Sequence, residues 1–159
     1  MKRARIGIMA AAVFAVASVA FAQKPDFSGT WTLDPEASGM AAPAGGGGGG
    51  GRGGGALGNG PATFKQTADT LTIERTAGDN KITLTYKLDG SESKNTMMGR
   101  GGTPTESVST AKFDGGKLII TTKAGENETT QTWSLAGSVL TVESTGGRGP
   151  SKRVYKKTT

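Results

Sequence analysis

The chain contains no cysteine and no histidine among its 159 residues. Without cysteine it has no disulfide framework and no thiol for lipid attachment. Without histidine, Ser-His-Asp and Cys-His catalysis are excluded, as are the usual zinc sites. The carboxylates Glu74, Glu106 and Glu143 could be brought together, but carboxylates at strand positions usually form a solvated face. We therefore predict a protein that is not an enzyme and that has neither a metal nor a cofactor.

Acidic residues are fewer than basic ones, and much of the imbalance lies in the first residues. The chain starts with the basic stretch "MKRAR", continues with the apolar run "IGIMAAAVFAVASV" and then reads "AFA". This pattern is typical of a secretory signal peptide, which we expect at 1–22 with cleavage after Ala22. Loss of Lys2, Arg3 and Arg5 lowers the net charge from +6 to +3. We expect a periplasmic or secreted protein with no transmembrane segment after cleavage.

The rest of the chain, 23–159, is predicted to be a single domain. Its short segments alternate apolar and polar residues. In "KITLTYKL", Ile82, Leu84 and Tyr86 share one face and the lysines and threonines share the other. Period-two alternation predicts half-buried β-strands. Asp-Gly and similar pairs between the segments supply the positive φ angles of tight hairpins.

The spacing predicts ten strands in series, of which 91–97 ("SESKNTM") has the weakest pattern. Hairpins in series form an up-and-down antiparallel meander, which tends to close because closure removes exposed edges. We predict an all-β protein whose meander closes into a barrel of eight to ten strands. The predicted strands are 28–34, 62–67, 70–76, 80–88, 91–97, 104–113, 117–123, 128–135, 138–145 and 151–157.

A glycine-rich tract, 44–60, follows the first predicted strand and contains twelve glycines in seventeen residues. Ordering twelve glycine backbones would cost roughly 12–24 kcal/mol, and the tract offers little apolar surface in return. We predict a disordered loop at the entrance of the barrel. Arg52, Arg100 and Arg148 stand among glycines in the first, fifth and ninth connections. In a ten-stranded meander these connections lie at one end, where the three arginines would favour anions; alternatively, they only keep the loops soluble.

Two motifs resemble those of a known group of barrels. "FSGTWTL" carries Gly29-x-Trp31, and "SKRVYKK" carries Arg153-x-Tyr155 on the last predicted strand. The chain resembles lipocalins and fatty-acid-binding proteins, which together belong to the calycins. The resemblance implies that the tryptophan of Gly29-x-Trp31 closes one end of the barrel. By their size alone, Trp31 and Trp133 are most simply core plugs, each able to bury about 150–250 Å². The resemblance also implies that Arg153 and Tyr155 bind a lipid carboxylate. The helix-turn-helix lid of fatty-acid-binding proteins is replaced here by residues 35–61.

An inward Arg153 would need a partner, since an unpaired buried charge is very costly. That partner could be a ligand anion, an internal carboxylate such as Glu74, Glu106 or Glu143, or the face of Trp31. Arg52, Arg100 and Arg148 are further candidate ligand-binding residues.

The residues predicted to point inward are mainly large. They are Trp31, Leu33, Phe64, Leu71, Ile73, Ile82, Leu84, Tyr86, Leu88, Phe113, Leu118, Ile120, Trp133, Leu135, Leu140 and Val142. Such a set could nearly fill an eight-stranded barrel, whereas a ten-stranded barrel would leave space.

Two functions remain open from the sequence. The first is an exported lipocalin-like barrel that binds a small amphipathic or anionic ligand, such as a fatty-acid-like molecule. The second is a non-catalytic structural or interaction protein of the cell envelope, with a filled barrel and no ligand. In both cases we expect a monomer that does not bind nucleic acid, because the arginine-glycine segments lack interleaved aromatics.

Overall fold

The computed structural model describes residues 24–40, 57–98, 103–146 and 149–158. These residues form ten β-strands and, within those ranges, no helix. In chain order the strands are β1 (Gly29–Asp34), β2 (Ala62–Gln66), β3 (Thr70–Ala77), β4 (Asn80–Lys87), β5 (Asp89–Met98), β6 (Pro104–Asp114), β7 (Lys117–Ala124), β8 (Asn127–Ala136), β9 (Val139–Gly146) and β10 (Ser151–Thr158). The predicted all-β meander is confirmed, including the weak strand, and the number of strands is ten.

The ten strands form one antiparallel sheet in the order β4-β3-β2-β1-β10-β9-β8-β7-β6-β5. The first and last strands are therefore neighbours, with Thr30 opposite Thr158 and Asp34 opposite Val154. The sheet edges are β4 and β5, although Leu88 alone separates these two strands along the chain. The barrel is thus nearly closed, with one interruption of the backbone ladder between β4 and β5.

Side chains bridge that interruption. The amide of Asn95 on β5 accepts a hydrogen bond from Thr85 N (2.8 Å) and donates one to Thr85 O (3.0 Å). Ser93 Oγ accepts a hydrogen bond from Lys87 N at 2.8 Å. Asn95 and Ser93 are both buried. We call this contact between β4 and β5 the side-chain junction. It satisfies backbone groups of β4 that would otherwise need another partner.

Alternating burial confirms that one face of each strand lines the interior. Along β4 every second residue from Ile82 to Tyr86 is buried, whereas the threonines between them and the lysines on either side are exposed. The interior cluster also contains Phe27, Leu57 and Tyr155, which the inward list from the sequence did not include. All of the residues predicted to point inward are in the cluster or pack against it.

One end of the barrel is closed by aromatic rings, and we call it the aromatic end. The rings of Phe113, Phe27, Trp133, Phe64 and Trp31 follow one another with centroid separations of 5.7–6.4 Å. The segment before β1 is held across this end by two bonds from the backbone of Phe27. Its carbonyl accepts from Trp31 Nε1 at 2.8 Å, and its N–H donates to Gln66 Oε1 at 2.9 Å.

Candidate functional site

Arg153 and Tyr155 on β10 both point into the barrel. Tyr155 is 1% exposed, and Arg153 is half-buried. They stand two residues apart on the same face of the strand, and the Arg153 guanidinium is hydrogen-bonded to the Tyr155 hydroxyl. The structure therefore brings together the two residues on which the predicted carboxylate site depends.

A second arginine interacts with this pair, and a second tyrosine interacts with that arginine. Arg75 on β3 and Tyr86 on β4 interact electrostatically with each other, and Arg75 also interacts with Tyr155. Neither residue was predicted as a site residue, although Arg75 shares the period-two face of Leu71 and Ile73. That shared face was the signal that could have identified Arg75 as a site residue. A cation on an otherwise apolar inward face costs free energy unless a partner or ligand compensates its charge.

The residue that links the two sides of this group is Gly58, in the connection between β1 and β2. Tyr155 Oη donates a hydrogen bond to Gly58 O at 3.3 Å, and this contact is buried. A Cβ built on Gly58 would lie 2.9 Å from Arg75 Nη1. Gly58 therefore touches both the phenol on β10 and the guanidinium on β3. We call Arg75, Tyr86, Arg153 and Tyr155 the arginine–tyrosine site.

The electrostatics of the site favour hydrogen-bond donation. Burial raises the pKa of Tyr86 and the pKa of Tyr155, and the nearby arginines oppose the shift only in part. Both phenols are consequently protonated at neutral pH. Burial lowers the pKa of Arg75 from its ordinary value, with Tyr155 and Tyr86 opposing this shift. Since an arginine side chain has donors and no acceptor, the four residues present mainly donors to one another and to the interior.

The acidic residues lie elsewhere. All thirteen Asp and Glu residues are in the described ranges, and none of them is buried. Glu74, one of the carboxylates considered as a partner for Arg153, pairs on the outer surface with Lys65 (3.3 Å) and Lys81 (3.5 Å). Glu106 and Glu143 are exposed. The interior at this level therefore carries positive charge, and the chain's carboxylates are on its outside.

The face of Trp31, the third partner considered for Arg153, is occupied by another cation. Lys157 Nζ lies 5.7 Å from the centre of the Trp31 ring. A Cβ on Gly29 would overlap the Lys157 side chain, and Gly29 has a φ of 128°. The glycine of Gly29-x-Trp31 thus leaves the space through which the lysine reaches the ring. Trp31 and Trp133 are both 0% exposed within the aromatic end.

The remaining predicted ligand-binding residues, Arg52, Arg100 and Arg148, lie outside the described residues, as do residues 44–56 of the glycine-rich tract and the predicted leader at 1–22. The last part of the tract is described, and in it Leu57 and Gly58 are buried whereas Asn59 and Gly60 are exposed. The surrounding barrel thus supplies a packing surface for Leu57.

A groove of about 430 Å³ runs along the outside of the side-chain junction. It is lined by Thr85, Lys87, Glu92, Ser93 and Lys94. Because both signs of charge line it, this groove does not select an anion in the way that the arginine–tyrosine site does.

The described ranges contain no group of three acidic side chains placed to hold a metal ion. They also contain no helix of a length and apolarity that would cross a membrane. The chemistry available in the arginine–tyrosine site is hydrogen bonding and charge attraction, which suits recognition of an anionic oxygen.

Comparison with known proteins supports the fold. No protein-family model matches the chain, and no curated protein matches it in sequence. Among solved structures, fatty-acid-binding protein 1 of Echinococcus granulosus is similar to it with a TM-score of 0.60 at 15% identity, over 84% of this chain and 98% of that one. A REP1-NXSQ fatty acid transporter matches with a TM-score of 0.57 at 16% identity, over 83% and 96%. An abundant heat soluble (SAHS) protein of Ramazzottius varieornatus matches with a TM-score of 0.55 at 19% identity, over 83% and 95%.

These likenesses span most of each chain at low identity, so they establish a shared fold. The molecule is a nearly closed antiparallel β-barrel with the fold of these structures, which confirms at the level of fold the resemblance seen in Gly29-x-Trp31 and Arg153-x-Tyr155.

Proposed function

We propose that this chain is an exported β-barrel that binds a small amphiphile with an anionic head group, such as a fatty-acid-like molecule. The observation that carries the proposal is the arginine–tyrosine site. There, Gly58 lies against both the Arg75 guanidinium on β3 and the Tyr155 phenol on β10. Arg153 is hydrogen-bonded to that phenol, and Tyr86 on β4 interacts electrostatically with Arg75. Export rests on the leader pattern at 1–22.

The chemistry of the site fits an anionic head. A guanidinium holds a carboxylate through charge-assisted hydrogen bonds, which are roughly twice as strong as neutral ones. A phenol that stays protonated can add another donor to the same oxygen. Since none of the thirteen acidic side chains is buried, the interior repels no incoming anion through its own carboxylates.

The chemistry of the adjoining wall fits an apolar tail. From the same inward face as Arg75, the buried residues Leu71 and Ile73 continue along β3, and Ile82 and Leu84 line β4. These side chains give a tail an apolar environment, and transfer of each methylene from water to such an environment contributes about 0.8 kcal/mol. The paired strands β3 and β4 thus provide a cation for the head group and, at neighbouring positions, apolar side chains for the tail.

A fluorescence displacement titration tests the proposal. The full chain would be expressed with its leader and recovered from the periplasmic fraction, with a mass that corresponds to a start at Gln23. An undecanoic acid that carries a dansyl group would serve as the probe, with unlabelled fatty acids as competitors. We expect micromolar binding, and roughly a 10- to 100-fold loss of affinity in Arg153→Ala, because a hydrogen bond to a charged group contributes about 1.5–3 kcal/mol.

The matched control is Lys152→Ala, which removes an exposed cation next to Arg153 on β10 and should leave the affinity unchanged. Equal affinity in the wild type and Arg153→Ala, with no displacement by any amphiphile, would eliminate the binding function.

That negative result would favour the second candidate, a non-catalytic structural or interaction protein of the cell envelope. The observation behind it is the extent of interior filling, since buried side chains from nine of the ten strands form one continuous cluster with Leu57, and Met97 of β5 packs against it. Under either function we propose a monomer without catalytic activity and without affinity for nucleic acid, based on the missing histidine and cysteine and the lack of aromatics among the Arg-Gly segments.

A further inference from the structure

The described residues that lead into β2 form a short segment across the interior, and we call residues 57–60 the strap. Its first residue, Leu57, is 2% exposed and belongs to the same cluster as the inward residues of the strands. Its second residue, Gly58, is buried against the arginine–tyrosine site, whereas Asn59 and Gly60 are exposed. The strap therefore contributes one apolar side chain and one backbone unit to the inside of the barrel.

The groups that the strap contributes are those of a ligand. The carbonyl oxygen of Gly58 accepts the hydrogen bond of Tyr155 at 3.3 Å, as the head group of a bound amphiphile would. The Leu57 side chain, one residue before Gly58, is buried in the apolar cluster, as the first methylenes of a tail would be. A neutral carbonyl is, however, a weaker acceptor than a carboxylate beside Arg75 and Arg153.

We propose that the strap is an internal stand-in for the ligand. Leu57 and Gly58 then occupy the position, here called the seat, where the head group and the first methylenes of a single-chain amphiphile would bind. Binding of the amphiphile requires that the strap be displaced from this position. This inference rests on the proposed function and adds to it a regulator of the same site. It also narrows the ligand class to one alkyl chain with a compact anionic head, because the seat is the size of one leucine side chain and one carbonyl.

Gly58 is suited to this place by its backbone. Its φ of 62° is a conformation that side-chain-bearing residues rarely adopt. The lack of a Cβ also allows the backbone to approach to within van der Waals distance of the Arg75 guanidinium. The strap thus fits closely over the arginine without adding a charge of its own, which leaves it open to replacement by an anion.

If the strap competes with the ligand, the measured affinity equals the intrinsic affinity multiplied by the fraction of molecules in which the strap is displaced. Shortening Leu57 lowers the stability of the seated strap and raises that fraction. We expect the apparent affinity for the dansyl undecanoic acid probe to increase in the order wild type, Leu57→Ala, Leu57→Ser. The gain in Leu57→Ala should be roughly 10-fold, since burial of a leucine side chain accounts for about that factor or more.

The matched control is Leu88→Ala, which removes a leucine of similar burial (4% exposed) in the turn between β4 and β5, away from the strap. It should destabilise the protein without raising the affinity. Amide hydrogen exchange supplies an independent measurement: on binding of the probe, residues 57–60 should lose protection while the strands retain theirs.

The possible results separate this inference from the proposed function. Tighter binding in both Leu57 variants that is lost on adding Arg153→Ala supports both. Binding by the wild type that is unchanged or weakened in both Leu57 variants overturns the strap inference and leaves the function standing. No binding of the probe by the wild type or by either variant overturns both. Should Leu57→Ser fail to fold, Leu57→Ala and the exchange experiment decide.

Discussion

The barrel closes in two different ways at two places. Strands that are far apart in the sequence pair through a backbone ladder, whereas two strands that are adjacent in the sequence are joined only by side chains. At β1 and β10, the most distant strands in the sequence, five consecutive residue pairs form a backbone ladder. Lys156 Nζ adds an ion pair to Asp34 Oδ2 at 2.7 Å, and Ser38 Oγ accepts a hydrogen bond from Val154 N at 2.9 Å. We call this contact the ladder junction.

At β4 and β5, which only Leu88 separates, the sheet instead has its two edges. The side-chain junction replaces the ladder there, with the Asn95 amide offering Thr85 the same acceptor and donor that a peptide unit would offer. Two strands that are adjacent in the sequence therefore need not pair through their backbones. What must be met is the demand of each buried backbone group for a partner, and a side-chain amide can meet it.

The largest effect is expected at the ladder junction, on replacing the tryptophan that packs inside it. Trp31→Ala should lower the free energy of unfolding by about 3–5 kcal/mol, because it leaves a large cavity in the aromatic end. Urea unfolding followed by far-UV circular dichroism measures this. Lys157→Ala, which removes only the cation above the ring, should cost about 0.5–1 kcal/mol. Equal losses in the two variants would show that the ring does not act as a core residue.

The second effect concerns the side-chain junction. Asn95→Ala removes both hydrogen bonds to Thr85 and should lower the free energy of unfolding by about 1–3 kcal/mol. Hydrogen exchange at the Thr85 amide should accelerate in the variant, whereas the amides of the ladder junction should keep their protection. Thr96→Ala, at the next and exposed position of β5, is the control. An unchanged exchange rate at Thr85 would mean that the Asn95 amide does not hold the two edges together.

The smallest effect is expected for the ion pair of the ladder junction, in which the Lys156 side chain is exposed. The hydrogen bond from Lys156 and the one from the Ala37 amide lower the pKa of Asp34. A carboxyl whose pKa is lower in the folded state stabilises that state above its unfolded pKa, about 3.9, and this stabilisation is lost as the pH falls through the folded pKa. Asp34→Asn should therefore be slightly less stable than the wild type at pH 7, with the difference disappearing once the pH has fallen below the folded pKa of Asp34.

Thermal unfolding of the wild type and Asp34→Asn across this pH range checks the prediction. Asp79→Asn, in the turn between β3 and β4, is the control and should follow the wild type at each pH. A difference that persists unchanged into acid would assign the effect of Asp34 to something other than its charge.

The arginine–tyrosine site shows how far sequence reasoning reaches. Arg153 and Tyr155 could be proposed because they form a short motif at a distinctive position, the last strand. Arg75 and Tyr86 belong to no motif, and each lies on a strand whose pattern predicts only an inward face. The approach of Arg75 to Tyr155 depends on which strands become neighbours around the ring, and alternation along one strand carries no information about that.

Local alternation by itself determined that the chain forms an antiparallel meander of eight to ten strands and which face of most of these strands is buried. The reason is that a strand has a strict period of two and these faces differ sharply in polarity. Only the tertiary structure decided which junction has a ladder, where Lys157 and Gly58 lie, and that Leu57 packs inside the barrel. Those outcomes depend on contacts between residues far apart in the chain, whose energies are set when the ring closes and each buried group finds a partner.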